Sequence, residues 1–245
     1  METGAGPLFG PQDGKSTLAV GMITCSRADH DVHAAIERLR GGGFDDLLHL
    51  FCEPGTPEVR PSPSLVVHNN ESRYGVLGNW RHCLTWLYEH SSADYLMVSE
   101  DDVAYCRGAR AAWEEARYRS DRVGFWSLYT AKRYQSLMGG EQGWMSLNLG
   151  RETWGTQAMC FPRSSAQILL DYRPLHEDDQ LRGPTDAIVA DCFLEAGLPC
   201  YYHNPSLTDH LGHISSIGHN WNDLHVGLNF DADFQPGSSI PSGPP

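Results

Sequence analysis

The plainest absence in this 245-residue chain is a long apolar run. No stretch approaches the roughly 18 residues that cross a bilayer, so no membrane span and no membrane partner are expected. Residues 1–14 have neither a basic start nor an apolar segment, and a secretory signal is not expected there. A Gly-x-Gly-x-x-Gly fingerprint is also missing, which argues against a dinucleotide oxidoreductase. Residues 10–16, Gly-Pro-Gln-Asp-Gly-Lys-Ser, imitate a phosphate-binding loop. Their glycines stand too close together, and the apolar strand follows the loop where it should precede it. The seven cysteines show no paired Cys-x-x-Cys spacing and are scattered through apolar segments. That usage fits a reducing compartment, and the expectation is a soluble, cytoplasmic protein.

Positive charge is scarce as well. A net charge of −13 argues against wholesale binding to nucleic acid or an anionic surface. Residues 103–163 run against that trend, with nine Arg or Lys to five Asp or Glu, and leave an anionic acceptor open. With 40% hydrophobic residues the chain can bury one substantial core. The domain plan has tails at 1–16 and 231–245 around a folded unit at 17–230, with no internal repeat.

What is present centres on residues 94–105. Tyr95, Leu96, Met97 and Val98 form a short apolar run suited to a buried strand, which stops at Ser99 and three successive carboxylates, Glu100, Asp101 and Asp102. Three adjacent negative charges repel one another, so a positive group should lie nearby. At the carboxyl end of a buried α/β strand, where ligands bind, a hard divalent cation such as Mg²⁺ or Mn²⁺ meets that need. Residue types alone leave a solvated acidic turn as the other reading.

Upstream, residues 18–24 read as a first buried strand, residues 29–39 as a helix with Val32, Ala35, Ile36 and Leu39 on one face, and residues 47–51 as a second strand. Gly41, Gly42 and Gly43 end the helix. This β-α-β unit puts its short loops on the ligand side of a parallel sheet. Thr24, Ser26 and Arg27 after the first strand and Glu53 after the second are therefore candidate ligand contacts. Residues 65–68 read as a short third strand. Residues 73–90 carry Leu77, Trp80, Leu84 and Leu87 on one helical face, entered through Gly75 and Gly78. A helix follows at 109–118 and a strand at 123–129, and residues 132–149 read as a long loop. Further on come a helix at 164–172, a helix opened by Gly183-Pro184-Thr185-Asp186, and a late strand at 199–202. Thr185 or Asp186 is an ordinary helix cap on this reading.

An apolar strand ending in Glu-Asp-Asp resembles the Asp-x-Asp motif of GT-A glycosyltransferases. The likeness extends, as an ordered series of short motifs, from about Leu18 to Ser216. It implies a single GT-A, Rossmann-like α/β domain: a central, mostly parallel sheet flanked by helices, with a small C-terminal β element. It also implies a sugar transferred from a nucleotide-sugar donor, a UDP-sugar, to an acceptor hydroxyl on a glycan or a hydroxymethylated DNA base, with inversion. Asp102 would hold Mn²⁺ or Mg²⁺ with help from Glu100 or Asp101, and His210 in Asp-His-Leu-Gly-His would complete the metal shell. Gly78-Asn79-Trp80-Arg81 resembles the helix start near the nucleotide, giving Asn79 to the nucleotide and Arg73 or Arg81 to the diphosphate. Trp154 and Gly155 would shape the sugar and acceptor pocket, and Asp186 would be the catalytic base.

Two rivals differ in class. One is a zinc-binding module built from Cys192, Cys200, His203, His210 and His213, whose spacings fit paired ligands only loosely. The other is a nucleotidyltransferase, which normally places a Gly-rich basic loop where Cys25-Ser26-Arg27-Ala28 stands. Metal content separates the first rival from the transferase. The purified protein is expected to hold Mn²⁺ weakly, and one tightly held zinc per chain on elemental analysis would instead indicate the module.

Overall fold

The computed structural model describes residues 16–27, 31–117, 122–177, 184–211 and 226–237. Its first strand, β1 (Leu18–Thr24), is buried at every position, as befits a central parallel strand covered on both faces. Alternation along β1 divides the core. Leu18, Val20 and Met22 face one cluster, with α1 (Val32–Gly41) and α3 (Ala109–Arg117). Ala19 and Ile23 face the other, with α2 (Gly75–His90), α5 (Arg163–Leu170) and α6 (Thr185–Glu195). Asp31 caps α1 by accepting hydrogen bonds from His33 N and Ala34 N.

The main sheet has eight strands, among them β2 (Leu48–Cys52), β3 (Leu65–Asn69), β4 (Tyr95–Glu100), β6 (Phe125–Ser127), β7 (Gly143–Ser146), β8 (Ala158–Pro162) and β9 (Cys200–Asn204). Their order is β3-β2-β1-β4-β8-β6-β9-β7. The first four strands are mutually parallel, and β6 is parallel to β9. β8 lies antiparallel between β4 and β6, and β7 pairs antiparallel on the outer edge of β9. The order reverses at β1, whose neighbours are β2 and β4, so the carboxyl ends of β1 and β4 flank the crevice where such sheets bind ligands. A separate two-stranded sheet joins β5 (Val103–Tyr105) to β10 (Thr208–His210), with His210 opposite Val103.

The fold class is thus α/β with a mostly parallel central sheet and a small antiparallel element, as expected from sequence. Residues 132–149 depart from expectation. They hold a 3₁₀ turn (Lys132–Tyr134) that runs straight into the short α4 (Gln135–Met138), and then β7, which Gly139 and Gly140 at positive φ separate from α4. The indole N–H of Trp144 on β7 donates to Ala112 O on α3 at 3.0 Å. Residues 231–237, expected as tail, contribute Ala232 O and Phe234 O as acceptors for Arg107 N and Gly108 N.

One glycine decides how closely α2 approaches the sheet. A Cβ on Gly21 would stand 2.3 Å from Cys83 Sγ and 3.0 Å from Leu87 Cδ1, both on α2. Gly21→Ala is expected to destabilise the fold by about 1–3 kcal/mol through overpacking, read as a lower urea midpoint. Adding Cys83→Ala should restore part of the loss.

Candidate active site

The acidic turn grows directly out of β4. Leu96 to Ser99 are buried, and Glu100 ends the strand level with Ile23 of β1. Arg38 of α1 holds the turn's backbone, donating from Nε to Val103 O at 3.0 Å and from Nη2 to Asp101 O at 3.1 Å. The β5–β10 ladder and the bond from Leu211 N to Asp102 O (2.8 Å) bring His210 beside the turn.

Glu100, Asp102 and His210 each offer a ligand atom, and these atoms lie within 4.8 Å of one another. His210 Nε2 is 3.5 Å from Asp102 Oδ2. Asp102 Oδ1 is buried and accepts no hydrogen bond among the described residues. A buried carboxylate oxygen left this way beside a second carboxylate and an imidazole fits a divalent cation. Asp101 turns elsewhere, toward Arg27. The Arg27 guanidinium bridges Asp101 and Asp102, with Nη1 to Asp102 Oδ2 at 2.7 Å, and is the nearby positive group that the triplet requires. Burial, and then the charge of Asp102, raise the Glu100 carboxyl to about 7, against the opposing hydrogen bond from Thr156.

Asp186 occupies the first turn of α6, where the helix dipole favours a carboxylate. The cap position belongs to Pro184, not to Thr185 or Asp186. Asp186 Oδ1 accepts from Ala187 N at 2.8 Å and Oδ2 from Gly155 N at 2.7 Å. Its charge reaches Glu100 and contributes to the raised carboxyl there. Trp154 is half-buried, with the Arg133 guanidinium 3.8 Å above its ring.

The remaining candidates form a rim or turn inward. Thr24 is buried at the end of β1 and Ser26 is exposed just beyond it. Cys25 lies between them, its thiol pushed up by burial and within reach of the charges of Arg27, Asp102, Arg73 and Glu53. Arg73 itself is exposed. Glu53 is buried and accepts Tyr74 N at 3.0 Å with each oxygen, bracing the start of α2. Asn79, also buried, accepts from Asn70 Nδ2 at 2.9 Å and donates to Phe51 O at 3.2 Å. Arg81 donates to Leu175 O at 3.1 Å. The structure therefore gathers Arg27, Glu100, Asp101, Asp102 and His210 around the turn, with the Asp186–Gly155 pair tied in through Thr156. Asn79 and Arg81 instead bond Asn70, Phe51 O and Leu175 O.

Arg38 and Thr156 had no signal in the sequence: one is a helix arginine among several, the other an uncharged residue. Of the zinc rival's residues, Cys192, Cys200 and His203 join no converging ligand group among the described residues, and His213 lies outside them. All seven cysteines are free thiols.

No protein family and no curated relative matches the sequence. Among solved structures, a mannosyltransferase from Pyrobaculum calidifontis in complex with GDP-Man and Mn²⁺ is 14% identical with a TM-score of 0.49, over 77% of this chain and 55% of that one. This chain thus spans about half the length of that protein. A nucleotidyl transferase from Methanothermobacter thermautotroptrophicus is 13% identical with a TM-score of 0.48, over 76% of this chain and 86% of that one. Likeness at this distance assigns no activity.

The Arg27 bridge generates a prediction. Arg27→Met should lower stability in EDTA by roughly 1–3 kcal/mol, the scale of hydrogen bonds to a charged group, and should enlarge the rise in Tm on adding Mn²⁺. A variant as stable as wild type in EDTA would show that the carboxylates are neutralised by another group.

Proposed function

We propose that this chain is a metal-dependent glycosyltransferase that moves a sugar from a nucleotide-sugar donor, a UDP-sugar, to an acceptor hydroxyl with inversion. The observation that carries the reading is the convergence of Glu100, Asp102 and His210 at the switch point of the sheet, with Arg27 across the crevice. Asp102, His210 and Glu100 would hold Mn²⁺ or Mg²⁺. Such an ion, when bound, neutralises charge that develops on a leaving diphosphate.

The chain's own residues supply the rest. Arg27 and Arg73 offer positive charge to the donor's phosphates, and Thr24 and Ser26 line the adjoining strand end. Glu53, Asn79 and Arg81 are left to the scaffold, because their polar groups are engaged within it. Asp186 accepts the proton of the acceptor hydroxyl while that oxygen bonds to the anomeric carbon and the bond to the diphosphate oxygen breaks. The Gly155 and Ala187 N–H groups donate to the Asp186 carboxylate and fix its orientation. Trp154 offers an apolar ring beside Gly155 for the sugar or acceptor.

The nucleotidyltransferase reading lacks a Gly-rich basic loop, since Cys25-Ser26-Arg27-Ala28 contains no glycine and a single cation. The acceptor is a glycan or a hydroxylated base in DNA, the second favoured locally by the positive excess of residues 103–163. No described helix is long and apolar enough to cross a membrane. The free cysteines support a cytoplasmic setting.

A donor-hydrolysis screen of nucleotide sugars with Mn²⁺, followed by an acceptor panel that includes hydroxymethylated DNA, tests the activity. Within it, Asp186→Asn is expected to lower turnover by roughly 10²- to 10⁴-fold while donor binding persists. The amide can replace only one of the two acceptors, so stability should fall by about 1 kcal/mol. Turnover near that of wild type would leave Asp186 as a clamp on Gly155 and nothing more.

A further inference from the structure

Because β8 runs antiparallel to β4, its amino-terminal approach passes over the carboxyl end of β4, with Ala158 in register with Ser99. Four consecutive residues on that approach make hydrogen bonds, three of them to the two carboxylate residues Asp186 and Glu100. Trp154 N donates to the phenolic oxygen of Tyr134. Gly155 N donates to Asp186. The Thr156 hydroxyl donates to Glu100 Oε1 at 2.7 Å, and Gln157 O accepts from Glu100 N at 2.8 Å. Glu100 is thus held through its main chain and its side chain by adjacent residues of one segment.

The segment has little freedom to shift. Thr156 is 4% exposed. Gly155 has φ +92°, and a Cβ there would stand 1.9 Å from Gln157 Oε1 and 2.8 Å from Tyr129 Cδ1. The Trp154 ring is covered by Arg133, which pairs with Glu152 at 3.2 Å, and the Tyr134 hydroxyl donates to Glu152 O at 3.1 Å.

We propose that residues 154–157 act as a spacer between the two functional carboxylates, with Thr156 as a positioning residue that orients Glu100 toward the cation. The inference rests on the reading of Glu100, Asp102 and His210 as a metal site. Its physical basis is that a carboxylate can rotate about its terminal torsion, so one hydroxyl donor on Oε1 restricts which way the group offers its lone pairs. Partners of this kind around metal ligands typically govern affinity by 10- to 100-fold. The same segment holds Asp186 through Gly155, so the distance between metal carboxylate and base is set by three residues of backbone.

The test is a Mn²⁺ titration of the full chain without donor, following the free-ion signal by electron paramagnetic resonance. Thr156→Val, which keeps the shape and removes the donor, is expected to weaken Mn²⁺ binding about tenfold. Thr156→Ser restores the hydroxyl and should bring affinity back to within about twofold of wild type, a rescue that a purely packing role would not give. Asp102→Asn is the reference and should weaken binding more than either. Thermal melts accompany each titration. If Thr156→Val misfolds, Thr156→Ala carries the same expectation without placing a methyl against the carboxylate. Wild-type Mn²⁺ affinity in the hydroxyl-free variant, alongside a loss in Asp102→Asn, would overturn the spacer while leaving the metal site. Unchanged affinity in Asp102→Asn would overturn the metal reading itself.

Discussion

Three successive carboxylates at the end of a buried strand can persist only if charge is supplied to them, because desolvation and mutual repulsion both oppose their ionisation. The surrounding structure is arranged to meet that requirement. Arg27 reaches across from the end of β1 to bridge Asp101 and Asp102. Arg38 fixes the turn's carbonyls from α1, β10 contributes an imidazole, and the approach to β8 contributes a hydroxyl. Four separate elements therefore converge on one turn. Burial first, and then the charge of Asp102, raise the Glu100 carboxyl against the opposing Thr156 hydroxyl and Arg27.

This convergence depends on packing remote from the turn. Arg27 can meet Asp102 only because β1 and β4 are parallel neighbours in register, with Ile23 level with Glu100. Both strands are covered by α2, whose approach is fixed by the missing side chain at Gly21. Glu53 adds a brace by tying the end of β2 to the start of α2. Glu53, expected from sequence as a ligand contact, thus also braces the scaffold that carries the turn.

How much of this was legible in the sequence follows from what each signal reports. The β1-α1-β2 unit and β4 were readable because buried strands are continuous apolar runs and α1 has a helical period. Asp102 and His210 were readable as partners only through a resemblance of motifs, since nothing local in the chain announces that β5 pairs with β10. Asn79 and Arg81 stand at positions where a polar group could serve a ligand or the backbone. Sequence does not distinguish the two, and here the backbone atoms of Phe51 and Leu175 take them. β7 was missed because its four residues are flanked by glycines and gain their strand character from pairing with β9. Thr156 is the extreme case, since its importance is a matter of which strand runs beside it.

The reversal of β8 has an architectural consequence. In an all-parallel sheet, every residue that reaches the binding rim comes from the chain after a strand, and each costs a helical return to the opposite rim. A strand running the other way delivers the residues before it. β7 runs the same way as β8, so the chain leaves β7 at the opposite rim, and residues 147–157 carry it back to the binding rim with a single 3₁₀ turn (Gly150–Glu152). Length changes in residues 147–153 would therefore alter the rim and also disturb α6, on which this return packs through Arg151 and Asp191 (3.0 Å). Changes after β8 fall at the opposite rim, in the turn into α5, where Arg163 N bonds Asp94 O and only the packing responds.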